Sequence, residues 1–357
     1  MNKKKLILAI NPGSTSTKIG VYESDVLLIV KNIEHSVEEL SKYNKIVDQF
    51  EMRKDAILKF LKEKDIDVIK LSIIVTRGGT LPPVDGGAIY VNDEMVNLLK
   101  SGTLPEHASN LAAVIGKDMA DALGIPVIIY DAISTSELTD IAKISGLKEI
   151  ERVSLSHALN SKAVSRKVAV EENKSYDEVT YIVAHLGGGI SLSVHHNGKM
   201  IDIVSDDEGP FSPERAGKVP CAKLVETCYS GKYDYNTMRK MLRGKGGLTS
   251  YLGINSALEV EKRIVEGDSE AKLIYQAMAY QVAKGIGELS IVVKGKVDKI
   301  IITGGIAYSK MMTEWIKDYV SFIAPVEIVP GENEIESLAL GGLRVINGQE
   351  TAREFKK

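Results

Sequence analysis

Short apolar runs punctuated by glycine dominate the chain. Leu6–Ile10 is an unbroken run, and in Lys18–Tyr22 Ile19 and Val21 alternate with other residues. A run bounded by turn residues and an alternating stretch both predict strands. The polar turn Asn11-Pro12-Gly13-Ser14-Thr15-Ser16-Thr17 separates them, and Val26–Val30 continues the sheet. Tyr43–Lys64 is long, charged and periodic, which predicts a helix. Leu71–Val75 predicts another strand, ending at Thr76-Arg77-Gly78-Gly79. Across His107–Leu123, Leu111, Ala112, Ile115, Met119 and Ala122 share one helical face, and Gly124 stops the helix. Pro126–Tyr130 then predicts a strand ending at Asp131.

The second half repeats the theme. Thr180–Ala184 predicts a strand running into His185-Leu186-Gly187-Gly188-Gly189. Ser191–His195 and Met200–Val204 flank His196-Asn197-Gly198-Lys199, where Asn-Gly signals a hairpin. Helices are predicted over Ala158–Val170, Pro220–Tyr229, Tyr235–Leu242, Ser256–Glu266 and Ser269–Val293. Asp298–Ile302 predicts a strand that stops at Thr303-Gly304-Gly305, and Met311–Phe322, Val326–Val329 and Glu334–Asn347 complete the pattern. Each half opens with a strand hairpin and mixes sheet with helix, which implies an α/β class and a duplicated fold.

Length and charge narrow the picture. At 357 residues the chain exceeds one ordinary core and implies two domains. With 44% apolar and 26% charged residues it has the make-up of a folded soluble protein. A net charge of −3, with both signs interleaved, gives no reason to expect nucleic acid. Cys221 and Cys228 are too few for a disulfide scaffold and lack zinc-site spacing, so both are expected reduced, in the core or on a helix face. Three lysines precede Leu6–Ile10, but that run is too short for a signal peptide and Asn11-Pro12-Gly13 ends it. No run nears the ~20 apolar residues of a membrane span, so no membrane association and a cytoplasmic location are expected.

Three strand-end turns share a chemistry: Asn11–Thr17, His185–Gly189 and Thr303–Ile306. Glycine lets backbone approach a ligand, and runs of N–H groups make anion-binding concavities. None has P-loop or dinucleotide-fingerprint spacing. Their placement across both halves fits a nucleotide held in a cleft between two domains.

At these residues the chain resembles the acetate and butyrate kinase family, within the sugar-kinase, Hsp70 and actin superfamily. The resemblance runs along almost the whole chain. It is carried by NPGSTSTK at 11–18, RGG at 77–79, EHASNLAA at 106–113, YDAISTSEL at 130–138, SHALNSKAVSRKVA at 156–169, HLGGG at 185–189, EGPFSPERAG at 208–217, GGLTSYLG at 246–253 and PGENEIESLALGG at 330–342. EGPFSPERAG, GGLTSYLG and PGENEIESLALGG look like the butyrate rather than the acetate branch. The implied fold is two ribonuclease-H-like domains around a nucleotide cleft, residues 1–148 with 335–357 and residues 149–334. The implied reaction is reversible transfer of the γ-phosphoryl group of ATP, with Mg²⁺, to the carboxylate of a short-chain fatty acid, straight or branched. A homodimer or larger homo-oligomer is implied.

Such a reaction needs little acid–base chemistry. The acid is already ionised at neutral pH, so the obstacle is repulsion between two anions. Positioning and positive charge must overcome it. The resemblance assigns Asn11, Ser14 and Ser16 to the phosphates from the first domain. It assigns His185, Gly187, Gly188 and Gly189 to them from the second, and Gly304 and Gly305 to adenosine. Arg77 would grip the substrate carboxylate and Arg215 the moving phosphoryl group, as guanidinium forks suit both. His157 would stabilise the transition state, Asp131 would sit near the metal and γ-phosphate, and Glu334 would serve Mg²⁺, with Glu332 and Glu336 two residues to either side. His107 and Asn110 match a family motif, with structural roles equally open.

The chain departs from the family at several points. Ser156 stands where phenylalanine is usual, Ser256 and Leu258 where aspartate and arginine are, and Thr76 where glycine is common. The first bears on the acyl pocket, the next two on ribose and adenine contacts. Rival readings are an acetate or propionate kinase, an ATP-driven switch like Hsp70 or actin, and an inactive regulatory paralogue.

Overall fold

The computed structural model describes residues 4–356; Lys3, the first of the lysines ahead of the opening run, lies outside them. The chain forms two compact units, Met1–Ser136 with Asn333–Lys357, and Glu137–Glu332. In chain order the strands are β1 (Leu6–Pro12), β2 (Ser16–Glu23), β3 (Val26–Glu34), β4 (Leu71–Thr76), β5 (Ala88–Tyr90), β6 (Val127–Tyr130), β7 (Thr180–Leu186), β8 (Ile190–His196), β9 (Lys199–Val204), β10 (Lys299–Gly304), β11 (Val326–Pro330) and β12 (Arg353–Glu354). Unit one carries a sheet ordered β12-β5-β6-β4-β1-β2-β3, and unit two one ordered β11-β10-β7-β8-β9. In each, an antiparallel three-strand meander continues through its first strand into parallel pairs. These are β1 with β4 and β4 with β6 in unit one, and β7 with β10 and β10 with β11 in unit two. The duplicated α/β plan expected from the two hairpin openings is therefore present.

Each sheet is covered on both faces, and strand alternation shows how. Gly116 of the helix Asn110–Leu123 lies over Ile74 and Thr76, while Gly342 of the helix Glu334–Ile346 lies over Ile73 and Val75. Successive residues of a strand point to opposite faces, so the two helices sandwich β4. Unit two repeats this. Ile182, Ala184, Ile300 and Ile302 join the core formed with the helix Ser269–Val292. Tyr181, Val183 and Ile301 pack with Val164, Val168 and Ala169 of the helix Ala158–Glu171. A strand buried on both faces must read as a continuous apolar run, as β1, β7 and β10 do. Each fully buried isoleucine contributes about 1.5–3 kcal/mol.

Several boundaries differ from the sequence expectation. Tyr43–Lys64 divides into a 3₁₀ turn at Ile46–Gln49 and a helix at Phe50–Glu63. The helix expected from His107 starts at Asn110, because His107–Ser109 form a turn closed by the Asn110 N–H donating to His107 O at 3.0 Å. β7 runs on through His185, which pairs with Ser191, so this histidine is a strand residue rather than part of the turn. The Asn197-Gly198 hairpin forms with φ of 51° and 74°, the sign pattern of a type I′ turn. Residues 137–148 pack with unit two, where the Thr139 N–H donates to Ile201 O and Leu138 and Ala142 join Met200 and Ile203. Both cysteines are free and exposed on the helix Cys221–Cys228. Among the described residues no helix is long and apolar enough to cross a membrane.

Candidate functional site

In unit one, three residues far apart in sequence converge. Asn11 lies near the end of β1, Arg77 directly follows β4, and Glu334 opens the helix Glu334–Ile346. β1 and β4 are adjacent and parallel, so their carboxyl ends lie side by side, where open α/β sheets place ligands. Asn11 Nδ2 donates to Glu334 Oε2 at 2.6 Å, and Arg77 Nη1 donates to Glu334 Oε1. Both members of this ion pair remain partly open, at 20% and 17% side-chain exposure. Among the described residues Nη1 is the one guanidinium nitrogen of Arg77 with a protein partner, which leaves donors for a second carboxylate.

The glycines after Arg77 are needed for close approach. A β-carbon on Gly78 would overlap Ala132, and one on Gly79 would overlap Asn110. Asp131, just ahead of Ala132, is 1% exposed and holds φ at 41°, an unfavourable value for a residue with a side chain. Its backbone N–H donates to Gly87 O at 3.2 Å, and its Oδ1 accepts from Gly87 N at 2.7 Å. Asn110 serves structure: its Oδ1 accepts from Thr80 N at 2.8 Å and its Nδ2 donates to Pro105 O at 3.1 Å. His107 has its pKa pushed down by burial and then by the Arg77 charge, so it is neutral near pH 7.

Ser14 is exposed and Ser16 half-buried in the turn that begins at Asn11. Arg53 supports that turn from beneath. Fully buried, it donates to the carbonyls of Gly13, Ser14 and Ser16 at 2.9–3.0 Å, to Thr17 Oγ1 at 3.0 Å, and to Gln49 Oε1. The sequence reading missed it, although Arg53, Ile57, Phe60 and Leu61 recur at the spacing of one inward helical face.

In unit two, His157 caps the helix Ala158–Glu171, and its ring stacks on His185 with centroids 3.8 Å apart and planes 9° from parallel. Ser191 Oγ accepts from the His157 backbone N–H at 3.3 Å and lies 2.8 Å from Nδ1. Ser191 Oγ thus touches both the backbone and the ring of His157 and fixes the ring's orientation. His185 is 1% exposed and engaged at both nitrogens: Asn160 Nδ2 meets Nδ1 at 3.0 Å and Glu332 Oε1 meets Nε2 at 3.1 Å. Asn160 also donates to Thr303 Oγ1 at 3.2 Å. These contacts hold the His185 ring in place against His157. Ser191, Asn160 and Glu332 in this role were not read from sequence.

Gly187–Gly189 form the turn between β7 and β8, closed by the Gly187 N–H donating to Gly189 O at 3.0 Å. The Arg215 guanidinium lies against Gly189, where a β-carbon would overlap it. Gly304 ends β10 and bridges Gly331, while at Gly305 the space a side chain would fill is open. Ser256 caps the helix Ala257–Val265, its Oγ accepting from Glu259 N at 3.3 Å, and Leu258 is exposed. Thr76 is a buried β4 residue whose hydroxyl donates to Ile128 O at 3.3 Å.

Among the described residues no group of three or more His, Cys, Asp or Glu side chains is gathered for a metal ion. Mg²⁺ takes one or two protein carboxylates and keeps its waters. Glu334 supplies hard oxygen donors, and each of its oxygens keeps a lone pair beyond its bond to Asn11 or Arg77.

Known proteins match this chain in sequence and in fold. The model of the acetokinase family matches residues 148–328. Butyrate kinase 2 of Clostridium acetobutylicum is 49% identical over 352 residues, 98% of this chain and 99% of that one. The chain belongs to the acetokinase family. Among solved structures, an acetate kinase of Porphyromonas gingivalis aligns with a TM-score of 0.78 at 17% identity, over 96% of this chain and 100% of that one. A propionate kinase of Francisella tularensis aligns at 0.74 and 20%, over 94% and 98%. These two show that the acetokinase fold extends over both units.

Proposed function

We propose that the chain phosphorylates the carboxylate of a four-carbon fatty acid, butyrate or a branched isomer, with ATP, giving an acyl phosphate and ADP. The observation that carries the reading is the Asn11–Arg77–Glu334 cluster, in a chain 49% identical to a butyrate kinase along its whole length. Arg77 keeps Glu334 on one nitrogen and offers the others to the acid. In this reading Asn11, Ser14 and Ser16 serve the phosphates, as do Gly187–Gly189, and Gly304 and Gly305 serve adenosine. Arg215 meets the moving phosphoryl group, His157 donates to its developing charge, and Asp131 serves the metal and γ-phosphate. His185 acts through its stack, orienting His157. Glu334 would hold Mg²⁺ through its water shell, and the bound ion would offset the charge of the phosphates.

The acid attacks as it stands, so no group need remove a proton. A hydroxamate assay for acyl phosphate, run with acids of two to six carbons, tests the reading. ATP hydrolysis without acyl phosphate would favour the ATP switch, and no turnover an inactive paralogue. Acetate as best substrate would favour an acetate kinase.

Chain length gives the sharper prediction. Ser156 is half-buried beside His157, its Oγ 3.6 Å from Met200 Sδ. A small residue there leaves width at the acyl end. Each extra buried CH₂ contributes about 0.8 kcal/mol, so butyrate should exceed acetate by ~1.6 kcal/mol, about fifteen-fold in kcat/KM. Ser156→Phe should shift preference toward shorter acids while sparing the KM for ATP. An unchanged chain-length profile would remove Ser156 from the pocket.

A further inference from the structure

Asp206 sits in the turn that follows β9 and is 3% exposed. Its Oδ2 accepts from Arg215 Nη1 and, at 2.6 Å, from Arg243 Nη2. Arg243 also lies 3.7 Å from Asp207 Oδ1. The two arginines come from separate segments paired through their backbones. Arg215 and Arg243 form an antiparallel bridge, with the Ala216 N–H donating to Leu242 O at 2.9 Å and the Gly244 N–H to Glu214 O at 2.7 Å. Ser212 Oγ donates to Gly188 O at 2.7 Å, which fastens the Arg215 loop to the glycine turn. The guanidinium thus lies over Gly189 with Asp206 behind it.

This carboxylate is a poor stabilising device. Its other oxygen, Oδ1, is buried and has no hydrogen-bond partner among the described residues. Burial pushes its pKa up, against the pull of Arg215 and then Arg243. A buried carboxylate left half-satisfied costs stability, and a buried ion pair is weak evidence for it. Groups that break a local rule in this way tend to serve a site. The electrostatics here suit one. One carboxylate oxygen joins two guanidiniums that are 30% and 48% exposed, so both stay partly open beside the turn where an anion is expected.

We propose that Asp206 is the positioning residue that fixes the Arg215 guanidinium over the Gly187–Gly189 turn, with Arg243 as the second cation on the same carboxylate oxygen. The inference rests on the reading of Arg215 as the arginine that meets the phosphoryl group. Asp206→Asn keeps the shape but gives the guanidinium a neutral and weaker acceptor. Loss of orientation at a reacting group costs up to ~10²-fold, so kcat should fall on the order of ten- to a hundred-fold. The KM for the acid should stay within about twofold, because Arg77 and not Arg215 holds the carboxylate.

The test is a double-mutant cycle in the full chain: Asp206→Asn, Arg215→Ala and both together, with kcat, both KM values and thermal midpoints measured for each. If Asp206 acts through Arg215, the double variant is no slower than Arg215→Ala alone. Losses in kcat that multiply would show a general structural role and overturn the proposal. A wild-type kcat in Asp206→Asn, with Arg215→Ala impaired, overturns the proposal and leaves the reading of Arg215 standing. A wild-type kcat in Arg215→Ala overturns both.

Discussion

Replacing Arg77 by alanine is expected to raise the KM for the acid strongly and to lower kcat as well. Arg77 follows β4 and reaches Glu334 through Nη1, and its remaining donors are the cationic fork proposed for the substrate. Without it the incoming carboxylate is brought to the polyphosphate with no partner. Truncating one side of a buried, hydrogen-bonded charge pair costs ~2–5 kcal/mol, read here as kcat/KM for the acid. Glu334 also loses its cation, so two anions approach where one neutralised pair stood. Arg77→Lys restores charge but not the fork, and should recover part of the loss. Because Gly78 and Gly79 fix the backbone against Ala132 and Asn110, the alanine variant should fold. An unchanged kcat/KM for the acid in a folded Arg77→Ala variant would remove Arg77 from the substrate site.

Much of the fold was legible because its signals are local. A doubly covered strand must be apolar along its length, which exposes β1, β7 and β10 to inspection. Asn197-Gly198 announces its own hairpin, and Gly124 ends its helix with φ at 64°. What was illegible depends on pairing across the sheet. β7 extends through His185 because Ser191 pairs with it, and nothing within His185–Gly189 says so. β5 is three residues long, too short for a periodicity to declare it.

The site divides in the same way. Asn11 and Arg77 stand at strand ends and could be picked out by position. The partners that orient the chemistry are distant in sequence: Ser191 for His157, Asn160 and Glu332 for His185, Asp206 for Arg215. Each is an ordinary polar residue until the fold brings it near. Arg53 was the exception, since its place on an apolar helical face was open to reading.

His157→Ala should lower kcat by on the order of 10²–10³, the range for one transition-state donor, and change the KM for ATP far less. The imidazole is prepared for this role before substrate arrives. Ser191 Oγ sits 2.8 Å from Nδ1, and the ring lies flat on His185 at 3.8 Å. Orientation settled in advance costs nothing at the moment of reaction, which is what makes a fixed donor effective. Ser191→Ala should therefore lose part of the same kcat effect, since the ring then loses a contact that orients it. The attacking carboxylate carries no proton to give up, so the pH–rate profile should lack a limb that disappears with His157. A basic limb present in the wild type and lost in His157→Ala would identify His157 as an obligatory base and overturn transfer by positioning and charge.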